Sequence, residues 1–154
     1  MTEGTAGAVY SNDLVLNAGA DATGEAFSPP RRVLAVRNTP DWLSKRVEQL
    51  QALLQLKENW DSYGAEPIDP RSVVHAEYLL RELARFVGVE APTVTASPDG
   101  HAALCWDDGQ RSLEVEVRSD GVFQFVFIDE EDASRDEEAE IMDAGRLAEL
   151  LTQL

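Results

Sequence analysis

The sequence predicts an α+β domain: two N-terminal helices packed on a four-stranded antiparallel meander and closed by a short C-terminal helix. Three observations carry that expectation. Residues 39–58 and 69–88 repeat their apolar positions at the period of an amphipathic helix. After Ala91-Pro92 the period shortens to that of a strand. Three Asp-Gly steps, Asp99-Gly100, Asp108-Gly109 and Asp120-Gly121, then separate short β-rich runs, as in a chain of hairpins.

The first helix should open at Thr39, an N-cap residue followed by Pro40 at the first helical position and Asp41 facing the positive end of the dipole. Leu43, Val47, Leu50 and Leu54 form its stripe, and it should run to about Glu58. The second repeats the signal with Asp69 and Pro70. Val73, Leu80, Leu83, Ala84 and Val87 are its buried face, and Gly88 is its left-handed stop. About ten residues join the two, which predicts an antiparallel pair.

The strands follow at 93–97, 101–106, 111–118 and 122–128. Leu113, Val115 and Val117 face one way, Glu114 and Glu116 the other. Phe123, Phe125 and Phe127 share a face of the best-buried strand. Leu43, Val47, Leu50, Leu54, Leu80, Leu83, Val115, Phe125 and Phe127 are the expected core. Residues 129–143 hold nine acids and one base, Arg135, and read as a solvated, mobile loop before a last amphipathic piece at 144–154. Ahead of the domain, residues 1–38 read as a flexible or loosely docked arm, with 32–37 alternating well enough to make a fifth, edge strand.

A chain of 154 residues is the size of one domain with an ordinary core. Its net charge of −16 is one-sided: residues 1–57 carry six acids and six bases, residues 58–154 twenty-three and seven. Such a surface repels phosphate backbones and argues against direct nucleic-acid binding, while favouring basic proteins or metal ions. Acidity that only keeps the protein soluble is the plainer alternative. No apolar run reaches membrane-spanning length, and residues 1–24 lack the basic and apolar regions of a secretory signal. With Cys105 the single cysteine, a reducing cytoplasm is the expected compartment.

The most distinctive string is Asn59-Trp60-Asp61-Ser62-Tyr63-Gly64, between the two helices. Trp60 and Tyr63 could form a binding face with Asp61 as a polar hook. The favoured reading is structural, with the aromatics packed under the loop, Asp61 accepting backbone N–H bonds and Gly64 left-handed. Residues 53–64, the helix after them, Pro92, an Asp-Gly turn and Trp106 together resemble a group of small uncharacterised bacterial proteins with a Trp-Asp-Gly-Tyr-Gly-type loop. The likeness covers roughly 43–128, and Ser62 stands where a glycine is expected. It implies a bacterial cytoplasmic origin and the domain boundaries, and brings no activity with it.

Catalytic signals are sparse. His101 and Cys105 share a strand face but lie roughly 13 Å apart, too far for a nucleophilic pair; a core cysteine beside an exposed histidine is expected. His75 has no second histidine at metal spacing. No phosphate loop, His-Glu-x-x-His, Cys-x-x-Cys or nucleophile elbow is present, and no cofactor is expected. The acids after Asp129 lack the alternation and glycine of a calcium loop. The function expected is therefore a non-enzymatic acidic interaction module: an antitoxin-, immunity- or inhibitor-like partner of a basic protein, or a subunit of a larger assembly. Its candidate contacts are Trp60, Asp61 and Tyr63 as anchor and Asp129, Glu130, Glu131, Asp132, Glu137 and Glu138 as steering charge. A small-molecule or divalent-metal-binding module is the alternative.

Overall fold

A computed structural model of the chain describes residues 39–154. The expected arm 1–38, with its strand at 32–37, lies outside the described residues. The elements are α1 (Trp42–Leu53), α2 (Pro70–Leu83), β1 (Thr93–Ala96), β2 (Ala102–Asp107), β3 (Arg111–Val117), β4 (Phe123–Asp129), a 3-10 turn (Ala133–Arg135), β5 (Glu137–Ile141) and α3 (Ala144–Leu151). The fold class is α+β.

The α1 helix starts later and stops sooner than its pattern implies. Asp41, not Thr39, is the N-cap, and its side chain makes no capping bond. Past Leu53 the chain tightens, with Gln55 and Leu56 N–H donating to the carbonyls three residues back. Asn59 then takes a φ of 62°, which no helix can contain. The α2 helix keeps its expected start: Asp69 accepts from Arg71 N–H at 2.8 Å, and Pro70 follows. Its buried face is Ser72, Val73, Ala76, Leu79, Leu80 and Leu83. Val87, expected on that face, is fully exposed, because the helix ends at Leu83, before it.

The sheet is an antiparallel meander in the order β1-β2-β3-β4-β5. Its register stacks Val94, Leu104, Val115, Phe125 and Ala139 in one row and Ala96, Ala102, Val117, Phe123 and Ile141 in the next. These side chains and those of Leu43, Leu50, Leu79, Leu83, Leu147 and Leu150 from the three helices form a single core. Of the expected core, Val47 and Leu54 are only partly buried.

The fifth strand corrects the reading of 129–143 as a mobile loop. Residues 137–141 (Glu-Glu-Ala-Glu-Ile) pair along β4, with Glu137, Ala139 and Ile141 on the core side and Glu138 and Glu140 on the other. Charge hid the two-residue period. Glu137 tolerates the core-side position because it lies at the sheet's end and accepts two bonds from Arg146 of α3, at 2.9 and 3.0 Å.

Two polar contacts fix helices and loop to the sheet. Ser72, buried on α2, accepts from Ala102 N–H at 2.7 Å and donates to the Val117 carbonyl, bridging the ends of β2 and β3. Gly100, at φ 81°, lets the loop before α2 lie on the β1–β2 turn: a Cβ there would stand 2.8 Å from the Pro67 carbonyl. The contact is closed by Glu66 N–H to Pro98 O and Asp69 N–H to Gly100 O, both 2.8 Å.

Replacing Ser72 by alanine removes a hydroxyl that satisfies two buried backbone groups. The Ser72→Ala variant is expected to lose about 1–3 kcal/mol, read as a lower urea midpoint at unchanged m-value.

Candidate functional site

The 59–64 loop is built by its own polar side chains. Asn59 Oδ1 accepts from Gly64 N–H at 2.8 Å, and Asp61 Oδ1 accepts from Tyr63 and Ala65 N–H at 2.7 and 3.0 Å. Asn59 N–H reaches the Ala65 carbonyl at 2.7 Å, closing the loop on itself. Three residues take left-handed backbone: Asn59, Ser62 (φ 68°) and Gly64 (φ 98°). Those bonds to Tyr63 and Ala65 hold the Asp61 carboxyl below its ordinary value, against a smaller opposing effect of burial.

The two aromatics part company. Trp60 is half-buried and donates its indole N–H to the Glu66 carbonyl at 3.1 Å, so it belongs to the loop's structure. Tyr63 is 93% exposed, held outward by a bracketed backbone. The structural reading therefore holds for Trp60, Asp61 and Gly64 and fails for Tyr63.

The acidic candidates are equally divided. Asp129, grouped on sequence with the steering acids, is 2% exposed and closes a clamp. Arg111 Nε and Arg135 Nη1 donate to its Oδ2 at 3.2 and 2.8 Å, and Glu131 and Asp132 N–H donate to its Oδ1. The same guanidinium groups reach Gln153 after α3, at its carbonyl and at its side chain. Burial pushes the Asp129 carboxyl up, but the two N–H groups and Arg111 outweigh it and the net shift is downward. Glu130, Glu131 and Asp132 are exposed. Asp132, however, caps the 3-10 turn through Ser134, whose hydroxyl and N–H lower its pKa. Glu137 is tied to Arg146 and Glu138 is exposed.

Nor do the two candidate groups meet. Glu66 and Asp69, which follow the aromatic loop, are bonded to the β1–β2 turn, while Asp129 to Asp132 follow the opposite end of β4.

A charged surface lies between them, of which Glu138 alone was selected on sequence. All three helices pack on the core side of the sheet; among the described residues, its other face is met by His101 and Arg118 from the turns beside it. That face carries the rows Thr93, Cys105, Glu114, Val126, Glu138 and Thr95, Ala103, Glu116, Gln124, Glu140. Glu116 meets His101 Nδ1 at 2.7 Å, and Glu140 meets Arg118 at 2.8 Å. Glu114 and Glu138 have no cationic partner among the described residues and flank Val126, about 10 Å apart across β4. The outward parity of Glu114 was legible; its neighbour on β5 was not.

Cys105 corrects the core-cysteine reading, since it sits half-buried on this open face. Burial, with the Glu114 charge, pushes its thiol up against the bond to Thr95, the opposite of an activated nucleophile. No group of three or more His, Cys, Asp or Glu among the described residues is arranged to hold a metal ion. No described helix is long and apolar enough to cross a membrane.

The carboxyls of Asp61, Asp69, Asp108, Asp120, Asp129 and Asp132 all lie below the ordinary 3.8. A carboxyl depressed by folding contributes stability that is full above its unfolded value and lost as the pH falls through its folded one. Urea midpoints should therefore hold from neutrality down to about pH 4 and drop below it. Asp129→Asn should lower the neutral-pH midpoint and flatten that acid limb. Ser62→Gly relieves a left-handed serine and should raise stability by up to about 1 kcal/mol.

Searches against protein-family models, curated proteins and solved structures found no match to this chain.

Proposed function

We propose that the protein is a non-enzymatic interaction module that engages a basic protein through the open face of its sheet, in the cytoplasm. The observation that carries this reading is the Glu114, Val126, Glu138 row: two carboxylates without a described cation on either side of an apolar residue. A lysine or arginine stem can lie along Val126 while its charged head reaches a carboxylate. Ile128, 43% exposed on the same face, extends the apolar contact. Tyr63 serves as a separate anchor at the sheet's edge, since exposed tyrosines on preorganised loops lose little entropy on binding.

The partner should be recovered by affinity capture from the native host and released as salt rises. With that partner in hand, Glu114→Gln/Glu138→Gln is expected to slow association about tenfold at low salt and flatten its salt dependence. Tyr63→Ala should weaken binding by about 2 kcal/mol while the unfolding midpoint stays put. An association rate and salt slope unchanged by the double glutamine variant would sink the open-face assignment.

A further inference from the structure

A second surface, which shares Thr93 and Cys105 with the β1 end of the open face, is a cleft of about 560 Å³ at the β1 edge, a size typical of small-molecule sites. It exists because β2 outruns its neighbour. The β1–β2 pairing begins at Thr93 opposite Cys105, so Trp106 and Asp107 extend past the end of β1. The chain after α2 crosses that gap, and Trp106 pins it by donating its indole N–H to the Glu90 carbonyl at 2.9 Å.

The lining has two characters. Trp106, Leu151 and Leu154 supply apolar surface, and Glu90, Asp107 and Asp108 supply carboxylates, with no basic residue in the wall. Asp107 and Asp108 each spend Oδ1 on turn N–H groups, at Gly109 and at Gln110 and Arg111, and their Oδ2 atoms make no hydrogen bond among the described residues. Glu90 makes no side-chain bond there either. Arg111 shares the turn, but its guanidinium is committed to Asp129 and the Gln153 carbonyl. An adjoining recess of about 400 Å³ shares Gly88 and Leu151 with the cleft and adds Phe86 and Val87, both exposed.

We propose that this cleft binds a small amphipathic cation, a primary amine carried on a short aromatic or aliphatic body. The ammonium takes the free carboxylate oxygens, and the body lies on Leu151 and Leu154 and extends toward Phe86 and Val87. An anion is repelled by the three carboxylates, and a neutral analogue forgoes the ion pairs. A bare metal ion fits poorly, because among the described residues no three such side chains are arranged to hold one.

The test is amide and indole NMR of the full-length protein titrated with phenethylamine, 2-phenylethanol and 3-phenylpropionate. Phenethylamine should give saturable shifts at Thr93, Cys105 and the Trp106 indole, and the alcohol and the acid should bind several-fold more weakly. In Glu90→Gln/Asp107→Asn, which keeps Asp107's turn bond through the amide oxygen, affinity should fall about fivefold per carboxylate, the worth of a solvent-exposed ion pair. Glu138→Gln, three strands across the sheet from Cys105, should leave it unchanged, which separates this site from the far side of the open face. Equal binding of the alcohol would overturn the proposal. So would shifts spread over the acidic surface and indifferent to the first variant, or no shift up to about 10 mM amine.

Discussion

The fold turns on the three phenylalanines of β4. A strand alternates its side chains, so Phe123, Phe125 and Phe127 must all leave the same face and be covered there. Their register partners on β3, Val117, Val115 and Leu113, extend the apolar surface sideways. Every helix is drawn to that side, α1 and α2 through their leucines and α3 through Leu147 and Leu150. Covering one face leaves the other to Gln124, Val126 and Ile128 and their glutamate neighbours. The open acidic face is thus a consequence of where the aromatic row points, since three short helices suffice to cover one side of a five-stranded sheet.

The acids divide by type. Aspartate's short side chain reaches backbone N–H groups two residues on, and here Asp61, Asp69, Asp107, Asp108, Asp120, Asp129, Asp132 and Asp143 each accept at least one such bond. Glutamate's extra methylene suits it to the sheet surface instead, where Glu114, Glu116, Glu138 and Glu140 stand. A net charge of −16 therefore overstates the charge available to a partner. Much of the aspartate content builds turns, and its ionisation is coupled to stability rather than to association.

This division explains what could be read from the sequence. The meander was legible because each Asp-Gly step announces a turn and the apolar residues between them alternate. The α2 start was legible because Asp69-Pro70 is a local signal satisfied by local bonds. The β5 strand was not, since its outward positions and one inward position are glutamates, and Glu137 is permitted only by Arg146, a contact made on a helix that follows. Asp129 misled for the same reason: its burial depends on Arg111, eighteen residues earlier, and on Arg135. Ser72 gave no signal at all, as one hydroxyl on an apolar helix face looks like a boundary residue until the strands it bridges are in place.

The two surfaces proposed to bind share one geometric origin: among the described residues the helices lie on a single side of the antiparallel meander, and no described helix covers its other face or its uneven strand ends. On the open face Glu114 and Glu138 stand on β3 and β5, on either side of Val126 on β4, the arrangement proposed to receive an extended basic partner. At the β1 end Glu90, Asp107 and Asp108 line a cleft together with Trp106, Leu151 and Leu154, the lining proposed to hold a compact cation. Charge alone does not distinguish these sites, because both are acidic. Concavity does: a flat row gains from many weak contacts along a chain, whereas a cleft removes a small ligand's apolar surface from water and holds its charge against fixed oxygens.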